Sequence, residues 1–120
     1  TRFLVRGKID WNELELNLQN PESFSSQIYF KLKQMLHIRN QYPIFGRGEI
    51  EFITLPGSEN GELLSFIRFS ETQKWLIIHN MTDHRAPVNL PSFAEKSVNI
   101  LNDTRPFTLE PYGFCWLKIE

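Results

Sequence analysis

One change of period governs what this 120-residue chain can fold into. Phe24, Ile28, Leu32, Met35, Leu36 and Arg39 recur at helical spacing, the signature of one face of an amphipathic helix. Tyr29, Phe30 and Ile38 widen the apolar surface beyond that face, which predicts contacts on more than one side. The helix is expected to begin near Pro21 or Ser23. Asn20 is placed to cap it, Pro21 suits the first turn, and Glu22 complements the positive end of the dipole. Pro43 stops it and pushes Tyr42 extended. Gly46 and Gly48 then offer the positive φ that a tight exit needs.

From Glu49 the period is two. Ile50 and Phe52 alternate with Glu49, Glu51 and Ile53. A turn cluster over 56–61 ends in Asn60-Gly61, a pair suited to a hairpin. A second strand is expected over 63–69 and a nearly continuous apolar one over 74–80, the composition of a central strand. Shorter strands are expected over 86–90, 97–101 and 106–109, and a last one over 113–119. Short strands at near-regular spacing imply a mainly β fold, an antiparallel β-sandwich of Greek-key type or an open barrel, preceded by one long α-helix. Residues 1–21 show no settled period and read as a lead-in, with Trp11, Leu14, Leu16 and Leu18 forming either a helical turn or irregular packing.

Composition bounds the function. A formal net charge of -1, without a charged block, leaves no footprint for nucleic acid or an anionic membrane. No run approaches the ~20 apolar residues of a membrane span. The single cysteine, Cys115, excludes an internal disulfide and points to a reducing, cytoplasmic compartment. His37, His79 and His84 lack zinc-like partners at suitable spacing. Glu49 and Glu51 would share one strand face about 7 Å apart, as on any solvated strand. Trp75 and Trp116 lie in apolar strands and read as core. Gly46-Arg47-Gly48 follows a helix and precedes a strand, the reverse of a phosphate loop. No catalytic residue, metal ligand or cofactor site emerges from these residues.

Residues 28–48 carry a further signal. Tyr29, Leu32, Leu36, Arg39, Tyr42, Pro43, Phe45 and Gly48 resemble a pattern Y-x-x-L-x-x-L-R-x-x-Y-P-x-F-x-x-G. It marks the last helix of the catalytic barrel and the entry to the C-terminal β-domain in the α-amylase superfamily, glycoside hydrolase family 13. Leu64-Ser65-Phe66-Ile67-Arg68, the stretch 75–82 and the ending 109–117 resemble three strands of that domain. The lead-in around Arg6, Asp10 and Trp11 is similar to the loop after the eighth barrel strand in sucrose-active members, and these three residues are candidate sugar contacts. The resemblance implies an amylosucrase-like or trehalose synthase-like enzyme acting on α-glucosides.

It also implies a division of the chain: 1–21 as the end of the barrel, 22–45 as its last helix and turn, and 46–120 as the β-domain. The family's nucleophile, acid/base and stabilising carboxylates precede the last barrel helix. The chain, opening without Met at Thr1, is accordingly expected to be a catalytically inert fragment whose partner is the barrel of its parent. Its broad apolar helix is expected to self-associate when that barrel is absent. A carbohydrate-binding module and an unrelated β-sandwich interaction domain are the alternatives.

Overall fold

The computed structural model describes residues 7–119. The chain divides into two compact units, one ending at Asn40 and the other beginning at Gln41.

The first unit holds two helices. Helix α1 (Trp11–Gln19) occupies part of the stretch read above as a lead-in loop. Its cause is local: Asp10 caps it, accepting from the Glu13 amide through Oδ1 at 3.0 Å. The Asp-x-x-Glu spacing is a capping-box signal. None of the α1 residues is fully buried. Helix α2 (Phe24–Gln41) starts at the later of the two expected points. Its cap is Ser23, whose Oγ accepts from the Ser26 amide at 3.1 Å. Asn20 instead closes a local turn, accepting from the Glu22 amide. Ser23 Oγ also donates to the Asn17 carbonyl, and Ser26 Oγ donates to that of Leu18. Two serines thus tie the start of α2 to the end of α1. Along α2 only Ser26 and Ile38 are buried. Phe24 is 77% exposed, and Ile28, Tyr29, Phe30, Leu32 and Leu36 are exposed as well.

The second unit opens with a single helical turn, α3 (Ile44–Arg47). Here the expectation about glycine φ is corrected. Left-handed glycines occur at Gly57 and Gly61, whereas Gly48 sits at φ -72°. Gly48 is required by space instead: a Cβ there would lie 2.6 Å from Ile44 Cγ1 and 2.7 Å from its carbonyl oxygen. Strands β1 (Glu49–Ile53), β2 (Leu63–Phe69), β3 (Lys74–Asn80) and β6 (Phe114–Ile119) form one antiparallel sheet in the order β1-β2-β3-β6. Between β3 and β6 the chain makes a two-stranded ribbon, β4 (Ala86–Pro87) with β5 (Thr108–Leu109), and a 3₁₀ turn, Ser92–Ala94. The strands expected over 86–90 and 106–109 shrink to this ribbon. That expected over 97–101 shrinks to the bridges of Asn99 with Thr104 and Leu117.

Register decides the faces. Ser65 opposes Ile78 and Ile67 opposes Leu76, while Leu76 opposes Leu117 and Ile78 opposes Cys115. These residues form the first face, whose apolar members pack with Leu55, Ala86, Val88, Ala94 and Leu109 in one core. The ribbon and loops are therefore the second layer of the sandwich. The other face carries Trp75, Ile77 and Trp116, also buried. Tyr42 and Phe45 pack there, with ring centroids 4.7 and 5.1 Å from Trp75, and Phe45 lies 4.9 Å from Trp116. Burial on both faces explains the continuous apolar reading of β3.

Trp75 is 0% exposed, yet its indole N–H finds no acceptor. An orphaned donor costs about 1–3 kcal/mol. Burying an indole returns about 5 kcal/mol at ~25 cal/mol per Å². Packing wins.

Candidate functional site

Arg6 lies outside the described residues. Of the other two candidate sugar contacts, Asp10 has one carboxylate oxygen committed to capping α1. Trp11 begins that helix and is 70% exposed. The two are adjacent at one helix start.

The three histidines occupy different surroundings. His37 is exposed on α2. His79 stacks between Phe66 and Phe114, at 6.4 and 5.7 Å between ring centroids, and burial lowers its pKa below the ordinary value. His84 lies in the β3–β4 turn, with Nδ1 3.3 Å from Asp83 Oδ1 and Nε2 3.3 Å from Glu62 Oε1. Those hydrogen bonds, Asp83 first, raise its pKa. No spacing signals this cluster, because the pairing of Leu63 with Asn80 is what brings residues 62 and 84 together. Among the described residues no group of histidine, cysteine and carboxylate side chains could hold a metal ion. Cys115 is buried on the core face, and desolvation pushes its thiol up to about 12. A thiol so far from ionisation is a poor nucleophile at neutral pH.

Two buried asparagines of the β-domain are bonded mainly to backbone. Asn80 Nδ2 donates to the carbonyls of His84 and Glu110 at 2.7 and 2.9 Å. Its Oδ1 accepts from the amide and hydroxyl of Thr82. Asn99 Oδ1 accepts from the amides of Leu101 and Trp116. Asn80 fastens the β3–β4 turn to the entry of β6, and Asn99 covers the outer edge of β6. Both are pins between neighbouring stretches of backbone.

What the surface offers is apolar. On the second sheet face Phe52, which is 70% exposed, continues through Phe66 to His79 and Phe114 as a ladder of rings. Ile50 and Leu64, on the same face by register, are exposed too. A separate groove of about 480 Å³ lies beside the edge of the sheet. Phe93, Val98 and Ile100 supply its apolar lining, and Glu95, Lys96 and Lys118 its charged side chains. Sequence reasoning missed this groove, since Phe93 and Val98 belong to irregular chain whose partners only the tertiary fold sets.

No family model matches the chain. A cyclomaltodextrinase of Geobacillus thermopakistaniensis (strain MAS1) is 26% identical over 111 residues, which are 84% of this chain and 18% of the relative. Among solved structures, a maltogenic amylase from S. marinus superposes with a TM-score of 0.64 at 19% identity, over 78% of this chain and 12% of its own. The trehalulose synthase of Pseudomonas mesoacidophila MX-45 gives 0.63 at 17% identity, over 88% and 19%. A trehalose-6-phosphate hydrolase of Bacillus licheniformis gives 0.62 at 22% identity, over 87% and 20%. The chain thus spans less than a fifth of the curated relative and shares the fold of a small part of these larger proteins. The fold and the weak sequence similarity agree with the resemblance that the motifs over residues 28–48, 64–82 and 109–117 carry to the C-terminal region of the α-amylase superfamily, glycoside hydrolase family 13.

Proposed function

We propose that this chain is the C-terminal β-domain, with the preceding barrel helix, of a cytoplasmic enzyme that hydrolyses or transfers α-linked glucosyl units. Its role is structural: it packs on the catalytic barrel and has no activity alone. The division proposed is 1–21 for the end of the barrel, 22–45 for its last helix and turn, and 46–120 for the β-domain.

The observation that carries this reading is exposed apolar surface without chemistry. Six large side chains of α2 and the row around Phe52 face solvent, and neither surface presents paired carboxylates. A retaining mechanism needs two carboxyl groups about 5 Å apart on a rigid frame. Covering even half of such a surface would supply on the order of 5 kcal/mol before association entropy. In the absence of a barrel the same surfaces drive self-association of the chain.

The test is turnover. The purified 120-residue chain is assayed on cyclodextrin, maltotriose, sucrose and trehalose. No product above a heat-treated control is expected. Sustained release of glucose that survives repurification would overturn the structural role.

A further inference from the structure

We propose that Asn60-Gly61 is a site of covalent self-modification, where the backbone closes on the Asn60 side chain and water reopens the ring to isoaspartate and aspartate. Asn60 is the one asparagine of the sequence followed by glycine. Both residues are exposed, in the turn that joins β1 to β2. Gly61 sits at φ +78°, and nothing lies within 4 Å of the place a Cβ would take. Its amide is therefore open on the side that any other residue would crowd. The Glu62 amide donates to Asn60 Oδ1 at 3.2 Å. That bond folds the side chain back along the chain ahead of it and polarises its carbonyl, which makes Cγ the better electrophile. Against closure stands one contact, the Gly61 amide donating to the Ser58 carbonyl at 3.2 Å, the long limit for such a bond. Asn80 and Asn99 differ on every count. They are 2% and 5% exposed, precede Met81 and Ile100, and are held by several backbone groups.

The reaction needs only base and water. The Gly61 nitrogen bonds to Asn60 Cγ, the Cγ–Nδ2 bond breaks, and Nδ2 leaves as ammonia with the proton that Gly61 gave up. The ring is a succinimide. Water adding at its side-chain carbonyl gives aspartate; adding at its backbone carbonyl, it gives isoaspartate, in which the main chain runs through the side chain and is one methylene longer. That extra length enters just ahead of Leu63, whose pairing with Asn80 opens the β2–β3 ladder. Either product also sets a new carboxylate two positions from Glu62, the partner of His84.

The experiment is incubation of the full chain at mildly alkaline pH, folded and in urea, followed by peptide mapping and isoaspartyl methyltransferase labelling. Isoaspartate should appear at residue 60 ahead of every other asparagine, faster as pH rises. Because one exposed hydrogen bond is the only restraint, the folded chain should react no more than about tenfold slower than the unfolded one. Gly61→Ala should slow the reaction at least about tenfold in urea, where folding of the variant does not matter. Asn60→Gln should abolish the early label. A larger gap between folded and unfolded rates, an earlier label at another asparagine, indifference to Gly61→Ala, or persistence of the label in Asn60→Gln would each overturn the proposal.

Discussion

Two histidines give this small domain opposite responses to pH. Asp83 and Glu62 favour the charged form of His84. Its contribution is complete below the ordinary value of 6.5 and fades as pH rises through the raised folded-state pKa. His79, stacked between two phenylalanines, has its pKa lowered by burial. Folding therefore prefers it neutral, and stability falls as pH drops from 6.5 through the lowered value. Thermal melting followed across this range should peak near pH 6.5. His84→Asn should flatten the alkaline side alone, and His79→Phe the acid side alone. Asn80 is the residue on which the β3–β4 turn depends. Replacing it with Ala strands the Thr82 amide and the carbonyls it serves, at a cost of about 2–4 kcal/mol, measurable as a lower urea midpoint with an unchanged slope.

At the scale of elements, the passage from α3 into β1 is set by close approach. Gly48→Ala drives a methyl group into Ile44, within 2.7 Å of its carbonyl oxygen, and should cost about 1–3 kcal/mol. Gly46→Ala meets nothing within 4 Å. It lies inside a helical turn, and it should be neutral or stabilise by up to about 1 kcal/mol. Chemical denaturation of the two variants side by side checks both signs. The same elements show where sequence reasoning works. Strands β2, β3 and β6 were legible because their apolar runs answer to burial within one sheet. Helix α2 and the stop at Pro43 were legible because periodicity and proline are local. The ribbon β4–β5 was legible in position but not in length, since its two-residue strands are held by Asn80, which donates to the Leu109 carbonyl, and by Val88, whose amide donates to the Phe107 carbonyl. Helix α1 had a local signal, Asp10 with Glu13, that the polar character of its surroundings obscured.

For the whole molecule, the candidate sugar contacts were the least legible part. Asp10 and Trp11 meet only at the start of α1 and Arg6 lies outside the described residues, so neither spacing nor register ties the three to one site. The groove at Phe93 was hidden for a different reason, being made where irregular chain meets a sheet edge. What the fold does display is surface in search of cover: rings at Phe52, Phe66 and Phe114, and a helix exposed along most of its apolar residues. The most direct test is co-expression of this chain with the catalytic barrel that the proposed function places before it, followed by size-exclusion chromatography with light scattering. The account predicts a one-to-one complex with glucosidase or glucosyltransferase activity, weakened when Phe52 is changed to Ser in a chain that still folds. A barrel that is stable and fully active alone, and that does not bind this chain, would contradict it.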